Sequence, residues 1–152
     1  MQALDGKMTL DPAVEPFLSE LSHHHEFPLD GHVMEMMSEV AKICANRHAE
    51  CSCVTLGIES IRFLGKIEHG DIITCSAFVY RVMDTSMEIS VKVISEGLRD
   101  LEKRQILSAS FIFAALDDHH NYKQLSPITS KTSQENRCFR EAEIRRIKRR
   151  KF

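Results

Sequence analysis

The stretch that decides the fold reads Leu29-Asp30-Gly31-His32-Val33-Met34-Glu35-Met36-Met37-Ser38-Glu39-Val40-Ala41-Lys42-Ile43-Cys44. Its apolar side chains recur every three or four residues, which is the spacing of one face of an α-helix. Further apolar residues beside that stripe predict a helix over residues 29–46 that is buried on several sides. Asp30 is a suitable N-cap, and Arg47 and His48 suit the negative end of the helix dipole.

After this helix the apolar residues alternate with polar ones, which is typical of β-strands. Long antiparallel strands are predicted over residues 53–63, 72–83, 87–93 and 105–116, with a turn at Gly70-Asp71. Phe78, Tyr80 and Val82 are expected to share one face of their strand. A loop over residues 117–134 and a charged helix over residues 135–151 follow. Four such strands can curl around one helix and bury it, which predicts an α+β fold.

Composition sets the broad class of the protein. The chain has 152 residues, of which 43% are hydrophobic, and a net charge of −2. One domain is expected at this length. No apolar run approaches the roughly 20 residues of a membrane-spanning helix. The first ten residues are too polar for a signal-peptide core. We therefore expect a cytoplasmic protein without a membrane span.

The cysteines predict free thiols. Cys44, Cys51, Cys53, Cys75 and Cys138 are odd in number, which argues against a disulfide framework. Cys51-Ser-Cys53 is too closely spaced for the usual zinc-binding pair. No metal site is predicted, and a reducing cytosol suits this cysteine usage.

The histidines have ordinary interpretations that outweigh catalytic or metal-binding ones. His23-His24-His25 and His119-His120 are expected in solvated loops, because consecutive extended residues alternate in direction and cannot converge on one ligand. His48 is expected to cap the C-terminus of the first helix.

The chain resembles the hotdog-fold acyl-CoA thioesterases of the cytosolic, brain-type acyl-CoA hydrolase group, and looks most like the second of their two fused domains. The matching positions are Gly31-x-Val33-Met34-x-x-Met37-x-Glu39-Val40-Ala41, Arg47-His48, Val54-Thr55, Ile61-x-Phe63, Ile67-x-x-Gly70 and Ser86-Met87-Glu88-Ile89-x-Val91. The resemblance covers roughly residues 17–148. It implies a long central helix wrapped by a curved antiparallel sheet, plus a charged C-terminal helix. Residues 1–16 are interpreted as an irregular extension, 17–123 as the hotdog domain and 124–152 as a linker with a basic helix.

The resemblance also implies an activity, hydrolysis of acyl-CoA to a fatty acid and coenzyme A, in a dimer or trimer of dimers. It implies no cofactor beyond the coenzyme A of the substrate. The active site would lie between protomers at the N-terminus of the central helix, where backbone N–H groups polarise the thioester carbonyl. The predicted catalytic residues are Gly31, Ser38 and Glu39. The predicted substrate-binding residues are Asp30, Arg47, Thr55, Thr85 and Ser86.

Three positions depart from the family pattern. Asp30-Gly31 replaces a Gly-Gly pair, Ser38 replaces the catalytic Asp, and Phe27 replaces a polar catalytic residue. Serine without a base is a poor nucleophile at neutral pH. Glu39 is a candidate for a substitute base. Successive helical residues point about 100° apart, however, so Glu39 and Ser38 face different directions. Two hypotheses follow: a hydrolase with a diverged active site, and an inactive hotdog protein that binds acyl-CoA or a protein partner.

Some of these residues also have a purely structural interpretation. Thr85 and Ser86 suit a turn, and Arg47 suits a helix C-terminus. The last 16 residues, 137–152, carry eight Arg or Lys and two Glu, whereas the remaining chain has a balance of −8. This basic segment is predicted to be a solvated helix that packs Phe139, Ile144 and Ile147 on the domain. Neutralising CoA phosphates is a second interpretation. Nucleic-acid binding is a third, disfavoured because no aromatic stacking platform accompanies the charge.

Overall fold

A computed structural model of the chain describes residues 8–9, 30–68, 71–97, 100–128 and 133–150. His23-His24-His25 and Phe27 lie outside these ranges, and the side chain of Asp30 is likewise not described. The elements in chain order are β1 (Met8–Thr9), α1 (Asp30–Ala49), β2 (Ser52–Phe63), β3 (Ile72–Val82), β4 (Ser86–Glu96), β5 (Lys103–Leu116) and α2 (Ser133–Arg150). The predicted helix and four long strands are confirmed, with ends shifted by a few residues.

The strands form one antiparallel sheet in the order β1-β3-β4-β5-β2. Met87 pairs with Phe113 and Ile89 with Phe111, so these four side chains share the face that we call the inner face. All four are at most 2% exposed. Helix α1 contacts β2, β3, β4 and β5, which places the core between that helix and the inner face.

Helix α1 is buried along one side, not on several. Val33 and Met37 are at most 1% exposed, and burying each contributes about 2 kcal/mol. Glu35 and Lys42 are exposed, and Ile43 is 42% exposed. The prediction of burial on several sides was therefore wrong for the single chain, because one sheet covers one side of a helix and the additional apolar residues lie at the border.

The opposite, outer face of the sheet is polar. A β-bulge between Val79 and Arg81 shifts the register of β3. Val82 therefore pairs with Met87 on the inner face, and the prediction that it shares a face with Tyr80 was wrong. The Tyr80 hydroxyl lies 2.5 Å from Glu88 Oε2, to which it donates a hydrogen bond.

This hydrogen bond belongs to a small buried network. The Ser110 hydroxyl lies 2.9 Å from the Tyr80 oxygen, and Arg81 Nη1 lies 3.4 Å from Glu88 Oε1. Glu88 is 3% exposed, so its carboxylate is held by these partners instead of water.

Helix α2 packs on the outer face. The rings of Phe139 and Phe78 are 6.4 Å apart, and Glu141 Oε2 lies 3.6 Å from Lys92 Nζ. Packing of Phe139 was predicted and is confirmed. Ile144 and Ile147 are each 52% exposed, so the prediction that they pack on the domain was wrong.

The segment after β5 holds the C-terminal end of α1. His48 Nε2 donates to the Ser126 carbonyl over 3.0 Å, and Lys123 Nζ donates to the Ala49 carbonyl over 3.0 Å. His48 lies in the last turn of α1, as predicted, and is 8% exposed there, so its side chain joins the end of the helix to the segment at Ser126. His119 and His120 are exposed, as predicted.

Candidate active site

The N-terminus of α1 is open at Gly31. This residue is exposed, and a Cβ placed on it would have no atom of the described residues within 4 Å. The first turn of a helix leaves backbone N–H groups unpaired and carries partial positive charge. A ligand carbonyl or anion can therefore approach Gly31 without meeting a side chain of this residue.

Ser38 and Glu39 lie in the middle of α1 and face different directions. Ser38 is half-buried at the flank of the packed side, whereas Glu39 is exposed. Ser38 stands seven residues from Gly31, about 10 Å along the helix axis. An acidic side chain at position 39 thus does not occupy the space that Ser38 faces.

Four further predicted residues lie near the end of the domain opposite Gly31. Thr55 pairs with Phe113 and Ser86 with Ala114, near the end of β5. The Thr85 carbonyl accepts a hydrogen bond from the Ala115 N–H over 3.0 Å. Arg47 is exposed in the last turn of α1, shortly before β2 begins.

These four residues do not all face the same side of the sheet. Ser86 directly precedes the inner-face residue Met87 and therefore lies on the outer face, whereas Thr55 is paired with inner-face Phe113. Arg47 is 16 residues from Gly31, about 24 Å along a helix that rises 1.5 Å per residue. A single chain therefore does not collect the predicted residues into one compact site.

Sequence reasoning missed an apolar edge on β2. This strand pairs with β5 on one side and has no second partner among the strands that the structure describes. Large apolar side chains along it and just after it are between 42% and 56% exposed: Val54, Leu56, Ile58, Phe63 and Leu64. We call these five residues the β2 edge. The signal was present as apolar residues at both odd and even positions of β2.

Comparison with known proteins decides the family. The family model of the Thioesterase superfamily matches residues 30–102. An uncharacterised acyl-CoA thioester hydrolase of Zymomonas mobilis is 30% identical over 129 residues, which make up 82% of this chain and 87% of that protein. The chain belongs to the thioesterase superfamily. The resemblance seen in the sequence is thereby confirmed.

Other members of the thioesterase superfamily are longer. Human cytosolic acyl coenzyme A thioester hydrolase is 31% identical over 123 residues, 80% of this chain. The chain spans 32% of the length of that relative.

Solved structures of the superfamily confirm the hotdog fold. An acyl-CoA hydrolase from Staphylococcus aureus, in complex with butyryl coenzyme A, coenzyme A and coenzyme A disulfide, is 25% identical with a TM-score of 0.78. The match covers 98% of this chain and 88% of that one. A hexameric broad-specificity acyl-coenzyme A thioesterase is 25% identical with a TM-score of 0.56, over 74% of this chain and 76% of that one.

The thiols of this superfamily member are poor candidates for nucleophiles. Cys44, Cys51, Cys53 and Cys75 form no disulfide bond, and the side chain of Cys138 is not described. Burial raises the pKa of Cys53 to about 12, and it does the same for Cys75. Both are therefore protonated thiols at neutral pH, whereas the thiolate is the nucleophilic form.

Within the described ranges, no group of three or more His, Cys, Asp or Glu is placed to hold a metal ion. No helix in the same ranges is both long and apolar enough to cross a membrane.

Proposed function

We propose that this chain hydrolyses acyl-CoA thioesters to a free acid and coenzyme A, through an active site that has lost the usual carboxylate. The observation that carries this proposal is the open helix N-terminus at Gly31, in a chain that matches most of the length of an acyl-CoA thioester hydrolase. We also propose a cytoplasmic location and a role in lipid metabolism.

The proposed chemistry follows from the helix terminus. The thioester carbonyl oxygen binds near the N–H groups at Gly31, which stabilise negative charge as it develops on that oxygen. Water attacks the carbonyl carbon, the C–S bond breaks, and the departing coenzyme A sulfur takes up a proton. The reaction needs no metal and no organic cofactor. Asp30 directly precedes Gly31 in the sequence, and a negative charge at that position would oppose the developing charge.

Ser38 and Glu39 determine how fast this reaction runs. Since Ser38 stands about 10 Å from Gly31 along its own helix, the Ser38 that can hydrogen-bond the attacking water is proposed to come from a second copy of the chain. It cannot accept the proton of that water efficiently, because a hydroxyl is a very weak base. A positioned general base is worth about 10²- to 10⁴-fold in rate. Glu39 faces a different direction from Ser38 and would act as a base only on water that reaches it from that side. We therefore expect slow turnover.

The remaining residues are proposed to hold the coenzyme A part of the substrate. The exposed guanidinium of Arg47 can pair with a phosphate, and Thr55 and Thr85 offer hydroxyl groups at the same end of the domain. Ser86 faces the other side of the sheet and would reach the ligand only from there.

We propose that the site is completed by self-association, as a dimer or trimer of dimers. The separation of about 24 Å between Gly31 and Arg47 supports a site shared by two chains. A long apolar edge strand is a template for pairing with another chain, and the β2 edge has this character. The hexameric acyl-coenzyme A thioesterase among the solved structures supports self-association.

The role of the β2 edge in self-association can be tested by introducing one charged side chain. Ile58→Lys should shift the assembly towards smaller species in analytical ultracentrifugation, because it places a cation in an apolar contact. Leu101→Lys is the matched control, since Leu101 is 68% exposed in a loop outside that edge. Equal sedimentation of the two variants would rule out pairing through β2.

The activity itself is tested by following loss of thioester absorbance with the pure oligomer. Acyl-CoA substrates from short to long chains should be offered. Measurable hydrolysis of at least one of them is expected. Absence of turnover at every chain length would refute the hydrolase proposal.

A second candidate function is binding without turnover. Ser38 and Phe27 favour it, because both replace polar catalytic residues of the family. Calorimetry with a non-hydrolysable acyl-CoA analogue should then show binding in a protein that has no hydrolytic activity. Turnover of any acyl-CoA by the unmodified chain would exclude this alternative.

A further inference from the structure

We infer that the outward face of α2 docks the chain on an anionic membrane surface. This face consists of Arg140, Ile144, Ile147 and Lys148. The spacing of these residues places them on one side of the helix. All four are exposed. The inference goes beyond the proposed hydrolysis and does not depend on it.

The opposite side of α2 is fixed to the sheet. The Phe139 ring lies 6.4 Å from that of Phe78 in a tilted arrangement, and Glu141, which borders the outward face, reaches Lys92 on the outer face of the sheet. Arg146 lies seven residues from Phe139 on the same side of the helix, where its side chain is 15% exposed, and its Nε donates to Glu143 Oε2 over 2.7 Å within α2. These contacts hold the outward face in a set orientation, so its apolar and basic groups are presented together.

The chemistry of the face suits lipid. Ile144 and Ile147 are each 52% exposed, and a cation lies within four residues of each. Aliphatic side chains that enter the headgroup boundary beside Lys and Arg are typical of helices that lie on anionic membranes. A nucleic-acid backbone would attract the cations but would gain little from exposed isoleucines.

Charge complementarity favours the same partner. Residues 145–151 contain six Arg or Lys in seven positions, and α2 extends through Arg150. The chain outside residues 137–152 has a balance of −8, so an anionic surface attracts the end of the molecule and repels the remainder. The electrostatic field of the anionic surface therefore orients the protein with α2 towards the lipid.

The test is sedimentation of the full chain with vesicles of phosphatidylcholine, with and without phosphatidylserine. Binding should require phosphatidylserine and should weaken as salt is raised. Arg140→Gln/Lys148→Gln should weaken binding about fivefold for each cation removed. Ile144→Ser/Ile147→Ser should weaken it by about fivefold for each half-exposed isoleucine.

A matched control removes the same charge elsewhere. Lys66→Gln/Lys103→Gln alters two exposed lysines outside α2 and should leave vesicle binding unchanged. All variants should keep the circular dichroism spectrum and the sedimentation coefficient of the parent chain.

Four results would overturn the inference. They are equal binding to both vesicle types, no binding to either, an equal loss in the control variant, and an isoleucine variant that binds vesicles like the parent. Tighter binding to duplex DNA than to phosphatidylserine vesicles would assign the face to nucleic acid instead. A change of oligomeric state in the isoleucine variant would assign it to a second copy of the chain.

Discussion

Removing the hydroxyl group of Tyr80 should destabilise the fold by about 2 kcal/mol. Tyr80 is 7% exposed, and its hydroxyl donates to the Glu88 carboxylate, which is 3% exposed. A hydrogen bond to a charged group is worth about 1.5 to 3 kcal/mol when the partner is left buried. Tyr80→Phe also deprives the Ser110 hydroxyl of its partner. Arg81 still faces Glu88 in the variant, which keeps the loss from being larger.

Urea unfolding at neutral pH and fixed protein concentration measures this loss. Tyr122→Phe is the matched control, because Tyr122 is 67% exposed and its change should stay within about 0.5 kcal/mol. At this chain length a 2 kcal/mol loss corresponds to a fall in Tm of about 4 to 8 °C. A double-mutant cycle with Glu88→Gln isolates the coupling between the two side chains. Equal stability of the Tyr80→Phe and Tyr122→Phe variants would refute the reasoning.

Three further predictions concern α2, α1 and the thiols. Phe139→Ala should cost about 1 to 2 kcal/mol and increase hydrogen exchange throughout α2, because the half-buried ring anchors that helix; unchanged exchange would contradict its role. Gly31→Ala should raise the free energy of unfolding by up to about 1 kcal/mol, since a Cβ there meets open space, yet should lower turnover by crowding the ligand. Iodoacetamide mapping by mass spectrometry should label half-buried Cys51 before Cys53 and Cys75, whose pKa burial raises to about 12; faster labelling of Cys75 would contradict the burial.

Strict periodicity made the central elements predictable. The recurrence of Val33, Met37, Val40 and Cys44 specified α1, and the alternation through β4 specified the core strand. The bulge at Tyr80 was not predictable, because β3 carries no glycine or other local signal there. That single extra residue turns Val82 to the inner face, away from the side that Phe78 and Tyr80 share.

The candidate site was less predictable, because the described chain does not bring the predicted residues together. Motif spacing located Gly31, Ser38 and Thr55 along the sequence. The predicted helix already placed Gly31 and Arg47 at opposite ends of α1. The spacing did not reveal that Thr55 and Ser86 lie on opposite faces of the sheet. Nor did it show that His48 joins α1 to the segment at Ser126, since a hydrogen bond spanning 78 residues has no local signature.

The most direct test of the central claim compares acyl-CoA turnover in the parent chain, Ser38→Asp and Ser38→Asn. Asp supplies a carboxylate base at position 38, whereas Asn has the same shape as Asp but no basic group. We predict that Ser38→Asp raises kcat by about 10²-fold or more, while Ser38→Asn leaves it near the parent value. Equal rates for the Asp and Asn variants would contradict the claim that position 38 faces the thioester.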